Sequence, residues 1–244
     1  MKYHIIANIF VFLFLACKPD FNTNQEDSKY PSNNPNITEG PNIKIKNTLL
    51  NDFKNSIETA NEHKEKYIKN MEKEPKDQYG VQAFKALDWG EGTEKASENT
   101  ERSIRFRRHT YTILSALDTH ELKEFSDIIM NQRPICEIFN TFSILGEILD
   151  IVIDHLHPKK DKLNKLDISD LKTLKNSFDK ILSIIESVSG MSKQLILDYR
   201  NNKNLIKTDI NKLKSHINKL DNESQQQARE AKDLQKFIVS KYNP

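Results

Sequence analysis

From Ile43 onward, apolar residues recur every third or fourth position, the spacing of one face of an α-helix. Leu49, Leu50, Phe53, Ile57, Ala60, Tyr67, Ile68 and Met71 continue that face and predict a first helix over 43–73, stopped by Pro75. Residues 75–93 read as a connection whose Tyr79, Phe84, Leu87 and Trp89 tuck onto the helices. A second helix is predicted over 94–117, with Thr93 as its N-cap and Ile104, Tyr111, Leu114 and Leu117 on its apolar face. Asp118 and Thr119 cap a third over 120–131, through Leu122, Phe125, Ile128 and Ile129. Pro134 suits the first turn of a fourth over 134–157. That stretch is the most apolar after the N-terminus, yet Asp, Glu and Thr interrupt it, so it reads as a central core helix. Pro158 closes it, and Ser169 caps a fifth helix running to Tyr199. Within it Gly190 is expected to cost roughly 1 kcal/mol relative to alanine and to favour a kink.

The last segment, 204–241, has the strictest rhythm. Ile206, Ile210, Leu213, Ile217, Leu220, Ser224, Gln227, Ala231, Leu234 and Ile238 step by fours and threes. This is a heptad seam with a polar centre at Ser224 and Gln227. It either packs on the bundle of its own chain or pairs with a second chain as a homodimer. With no strand alternation and no internal repeat, the predicted fold is all-α: a bundle of five to six helices with a long C-terminal helix.

The N-terminus follows another pattern. Lys2 and His4 precede the apolar run Ile5 to Ala16, and Cys17 follows directly. A bilayer-spanning helix needs roughly 20 apolar residues, so this run is a secretory signal and not a span. Phe14-Leu15-Ala16-Cys17 looks like the lipobox of a bacterial lipoprotein. The resemblance implies cleavage before Cys17, acylation of its thiol, and attachment to the lipid bilayer of the outer membrane through it. Residues 18–41 are rich in Asn, Pro, Ser, Asp and Glu, and Ile37 is nearly their only aliphatic side chain. Such a segment cannot bury enough apolar surface to fold and is expected to be a disordered tether. The predicted organisation is therefore a signal peptide (1–16), an acylated cysteine with its tether (17–41), and an all-α domain (42–244).

Composition narrows the function classes. Lys and Arg number 37 against 35 Asp and Glu, so there is no strongly basic face of the kind nucleic acid requires. Only two cysteines are present, and with Cys17 acylated, Cys136 has no partner, which excludes a disulfide scaffold. Cys136 falls in an apolar helical pattern and is expected to pack in the core. His155 and His157 are the only close histidine pair, and they lack the i, i+4 spacing of a helical zinc site. No metal or cofactor site is expected, and neither a nucleophile elbow nor any other catalytic set occurs, so the chain does not read as an enzyme. One charge cluster stands out: Arg102, Arg105, Arg107 and Arg108 wrap part of the second predicted helix. They read either as a solvated face partnered by Glu98 and Glu101, or as a docking patch for an anionic partner.

Several segments together carry a family resemblance. Phe84-Lys85-Ala86-Leu87 is followed by Arg105-Phe106-Arg107-Arg108-His109-Thr110-Tyr111-Thr112-Ile113-Leu114-Ser115-Ala116-Leu117-Asp118, then by Leu122-Lys123-Glu124 and the apolar helix. With the lipobox and the Asn/Pro-rich tether, the chain resembles the CspA-like outer surface lipoproteins of Borrelia, the complement-regulator-acquiring group and its paralogues. The resemblance implies an all-α bundle displayed on the cell surface, binding a host serum protein such as a complement regulator, a terminal complement component or plasminogen. Paralogues that share a fold differ in surface, so no ligand residues carry across. The competing expectation is a structural or periplasm-facing lipoprotein that holds a membrane partner.

Overall fold

The computed structural model describes residues 41–89, 94–130 and 135–242. The expected signal peptide, Cys17 and nearly all of the expected tether lie outside the described residues, as do Thr93, Pro134 and the Cys136 side chain. The elements in order are α1 (Pro41–Met71), α2 (Ala83–Ala86), β1 (Asp88–Trp89), β2 (Glu94–Lys95), α3 (Glu101–Ile113), α4 (Thr119–Met130), α5 (Ile135–Leu156), α6 (Ile168–Arg200) and α7 (Ile210–Lys241). All the described α-helices but the one-turn α2 have 12 residues or more, which gives six long α-helices, within the expected five to six, with a long C-terminal helix.

The apolar α5 is the centre. Its Ile138, Phe139, Phe142, Leu145, Ile148, Val152, Ile153 and Leu156 are all at most 1 % exposed. It packs against α1, α3, α6 and α7. The connection after α1 feeds this core through α2, whose Phe84 is fully buried and meets Phe139 edge-on at 5.8 Å between ring centroids. Phe125 of α4 stacks on Phe142 at 6.0 Å, completing a cluster of aromatic rings.

Several boundaries differ from the periodicity, each for a local reason. Residues 94 and 95 pair antiparallel with 89 and 88 in a short β ladder, so α3 cannot begin at 94. It starts after Thr100, whose hydroxyl accepts from the Ser103 amide at 3.2 Å. It ends at Ile113, and a turn leads to a reciprocal capping box at α4. There the Glu121 amide donates to Asp118 Oδ1 at 2.8 Å and the Asp118 amide to Glu121 Oε2 at 3.2 Å. After α5 the chain does not stop at Pro158 but winds into a 3-10 helix over His157–Lys165. Asp167, not Ser169, caps α6, accepting from the Asp170 amide at 2.7 Å. α6 then runs through Gly190 to Arg200 as one helix. The last helix begins at 210 and not 204, because Asn202, Asn204 and Leu205 all take the left-handed conformation, with φ of 49°, 54° and 65°.

The seam of α7 faces α5 and α6 of its own chain. Leu213, Ile217, Leu220, Ala231 and Ile238 are buried there, while Ile210 stays 58 % exposed. The polar centre is real, and it extends to Asp221 and Gln235. Asp221 Oδ1, Ser224 Oγ, Gln227 Oε1 and Gln235 Oε1 are buried without a hydrogen-bond partner among the described residues. A buried hydroxyl without a partner costs about 1–3 kcal/mol. Ser224→Ala should therefore raise the unfolding free energy by about 1 kcal/mol, read from the urea midpoint. A loss of stability would mean that Ser224 has a partner in solution.

Candidate binding surface

The four arginines do not form one patch. Arg102 and Arg105 lie on the exposed side of α3, whereas Arg107 and Arg108 turn inward. The helical repeat places 107 on the same face as the buried Ser103, Thr110 and Tyr111. A guanidinium can stand there only if its charge and donors are matched. Glu74, just past the end of α1, provides the charge: Arg107 Nη2 donates to its Oε2 at 2.7 Å and Nε to its Oε1 at 2.9 Å. Arg107 Nη1 donates to the carbonyls of Ala96 at 2.6 Å and Glu98 at 2.8 Å. The Tyr111 hydroxyl adds a bond to Glu74 Oε1 at 2.7 Å. Burial, followed by the nearby Glu74 carboxylate, pushes the Tyr111 phenol well above its usual range. This socket ties three chain segments together and is closed to partners.

Arg108 and His109 meet Asp150 of α5, with His109 Nε2 2.9 Å from Asp150 Oδ2 and the Arg108 guanidinium on the same oxygen. Burial opposes ionisation of Asp150, but the hydrogen bonds from His109 and Arg108 outweigh it and hold its carboxyl below the usual carboxylate range. A carboxyl whose pKa is lower in the folded chain adds stability above its unfolded pKa of about 3.9 and loses it as pH falls through the folded value. Asp150→Asn should therefore lower stability at neutral pH, and its gap from the parent should narrow as pH drops below about 4. Acid titrations of both proteins by circular dichroism read this directly; a gap that stays constant would refute it.

The two close histidines diverge. His155 Nε2 faces the Tyr242 carbonyl, and His157 Nε2 lies 3.2 Å from Glu58 Oε2. Among the described residues no cluster of His, Cys, Asp and Glu is arranged to hold a metal ion. No described helix is long and apolar enough to cross a membrane.

An open concavity lies elsewhere, at the corner where α6 turns into α7. It has a volume of about 840 Å³ and a floor of Met191, Leu195, Ile206 and Leu220. Lys203, Lys212, His216, Lys219 and Glu223 stand around it. Asp198 lies at its base, 5 % exposed, with bonds from Gln194 at 2.7 Å and Lys203 at 3.2 Å and with His216 at 3.7 Å. Periodicity alone did not disclose this groove, because the left-handed turn at 202–205 creates it by swinging α7 back across α6.

The family model that matches is the Borrelia Bbcrasp-1 domain, over residues 69–243. Comparison with curated protein sequences returns no match. Among solved structures, BSE31 of Borrelia (Borreliella) spielmanii is 47% identical, with a TM-score of 0.78 over 80% of this chain and 98% of that one. The outer surface lipoprotein BBA64 of Borrelia burgdorferi shares the fold at 20% identity and a TM-score of 0.60, over 82% of this chain and 98% of its own. The outer surface protein BBA66 of the same organism does so at 20% and 0.60, over 78% and 99%. A domain match across more than half of the sequence, together with a close relative of the same fold, places the chain in the Bbcrasp-1 domain family of Borrelia outer surface proteins.

Proposed function

We propose that this protein is anchored in the outer membrane through acylated Cys17, once residues 1–16 are removed, and acts on the cell surface by binding a host serum protein of the complement-regulator or complement-component class. The observation that carries this reading is the match of residues 69–243 to the Borrelia Bbcrasp-1 domain, which takes in all of the bundle except most of α1. Residues 18–40 serve as the tether, with a reach of about 25–30 Å that holds the bundle clear of the headgroups.

Each part has its own test. Cys17→Ala should leave the bundle folded and shift the protein from the membrane to the soluble fraction; continued partition with the membrane removes the anchor. Protease added to intact cells should degrade the bundle, and resistance removes surface display. Residues 41–244, immobilised and exposed to serum, should retain a complement protein. The choice of fragment is supported by BSE31, 98% of whose chain aligns with 80% of this one. Capture of no serum protein would remove the host-binding reading. Light scattering on the same fragment decides whether α7 exchanges between two copies.

A further inference from the structure

We infer that the end of the bundle where α1 begins is a membrane-facing surface, which settles on anionic headgroups of the same bilayer that holds acylated Cys17; this rests on the anchor reading above. Three observations converge there. The first is position. α1 starts at Pro41, directly after the tether, so this is the end of the bundle that the chain leads to the lipid. A flexible tether sets a mean reach and is not a strut, so a bundle that stands clear on average also comes down to the surface. Contacts too weak to hold a free protein then suffice, because the tether keeps the effective concentration of lipid high.

The second is charge. The 3-10 helix over His157–Lys165 lies along the first turns of α1. Lys46 Nζ donates to the Asn164 carbonyl at 2.9 Å, Lys54 pairs with Asp161 at 2.9 Å, and Glu58 takes both Lys160 and His157. Residues 41–58 carry Lys44, Lys46 and Lys54 against Asp52 and Glu58. Residues 157–165 carry Lys159, Lys160, Lys162 and Lys165 against Asp161. The two segments together have an excess of four, in a chain whose net charge is +2. Counting Asp167, Asp170 and Lys172 at the start of α6 still leaves an excess of three. Lys44, Lys162 and Lys165 are exposed and have no ion pair among the described residues, so their charge is open to headgroup phosphates.

The third is apolar surface. Ile43 and Ile45, on either side of Lys44 in the sequence, are 52 % and 55 % exposed. At 100° per residue they point to nearly opposite sides of α1, so one flat protein face cannot cover both. A bilayer interface into which the helix tip dips surrounds it on all sides, while the lysine stems reach along it with their ammonium groups at the phosphates. A soluble anion would meet the lysines and leave both isoleucines in water. Docked in this way, the bundle keeps the α6–α7 corner at the far end of α6, whose 33 residues span about 50 Å.

The test is flotation of residues 17–244 carrying Cys17→Ala with phospholipid vesicles. The protein should float with vesicles rich in phosphatidylglycerol, stay behind with pure phosphatidylcholine, and be released by salt. Each lysine near an anionic surface strengthens binding about fivefold, so Lys44→Gln/Lys162→Gln/Lys165→Gln should weaken it about a hundredfold with unchanged helicity. Ile43→Ser/Ile45→Ser should weaken it about tenfold. Lys212→Gln/Lys214→Gln/Lys219→Gln removes the same charge from the far end and should leave binding within about twofold of the parent. No binding, equal binding to the two lipids, indifference to the substitutions near α1, or an equal loss from those at the far end would each overturn the inference. High salt keeps this contact apart from the anchor, because it screens lysines and leaves acyl chains in place. Vesicle binding that fails while the acylated protein stays in the membrane removes the docked end alone; Cys17→Ala protein that stays in the cell membrane in high salt removes the anchor.

Discussion

Arg107→Met should destabilise the bundle by about 3–5 kcal/mol, the cost of removing one partner from a buried ion pair. The side chains of Arg107 and Glu74 are only 3 % and 7 % exposed, so water cannot replace what is lost. Glu74 would be left as a buried carboxylate held only by the Tyr111 hydroxyl, and the carbonyls of Ala96 and Glu98 would lose the Nη1 donor. For a domain of this size the loss corresponds to a fall in melting temperature of roughly 6–20 °C. Arg107→Lys should recover little, because an ammonium cannot hold the Glu74 carboxylate and the two carbonyls in one planar fork. Arg107→Met/Glu74→Met should be more stable than Arg107→Met alone, since no charge then remains buried, yet less stable than the parent, because both carbonyls stay short of donors. Urea unfolding of the three variants forms the measurement. An Arg107→Met loss below about 1 kcal/mol would mean that the socket is wet in solution and that its ion pair behaves like a surface pair.

The same socket shows what periodicity can and cannot disclose. The α5 face was legible because most of its apolar positions answer to a single helical repeat, although Ile144 stays 47 % exposed. The α4 start was legible because Asp118 and Thr119 are capping residue types set just before an apolar helical face. The polar centre of α7 was visible as Ser224 and Gln227 interrupting a heptad seam. The inward turn of Arg107 was not. Its helical face could have been read from Ser103, Thr110 and Tyr111, but nothing near it in sequence supplies the opposite charge. Glu74 lies 33 residues earlier, beyond the end of α1. The start of α3 was missed for a similar reason: Glu94 and Lys95 are drawn into a β pair with Asp88 and Trp89, a tertiary demand that overrides their fit to a helix. The groove was hidden because it depends on Asn202, Asn204 and Leu205 in the left-handed region, and a leucine is not a residue from which that conformation is expected. Conversely, Cys17 is read from sequence alone.

Gly146→Ala should destabilise the bundle by about 2–3 kcal/mol, a large loss for one added methyl group. Alanine is the better helix former, by about 1 kcal/mol, so packing must more than reverse its advantage. A Cβ at 146 would stand 2.6 Å from the His109 carbonyl oxygen, 2.7 Å from its Cα and 2.7 Å from its Cβ. These are atoms of the α3 backbone and of a side chain 3 % exposed, none of which can rotate away. The two helices would have to separate. Asp150 lies one turn after Gly146 on the same face of α5, and it receives Arg108 and His109 from α3. Separation at 146 therefore also lengthens those bonds, and the loss from Gly146→Ala should overlap with that from Asp150→Asn: the double variant should be less destabilised than the sum of the two singles. Gly190→Ala provides the control within the same protein. A Cβ there meets nothing within 4 Å, so that substitution should stabilise α6 by about 0.5–1 kcal/mol. Opposite signs for two helical glycines, measured by urea unfolding under one set of conditions, would establish that α3 and α5 touch backbone to backbone at Gly146. If both substitutions stabilise, the helices stand farther apart than described, and the Asp150 network must be held by side-chain reach alone.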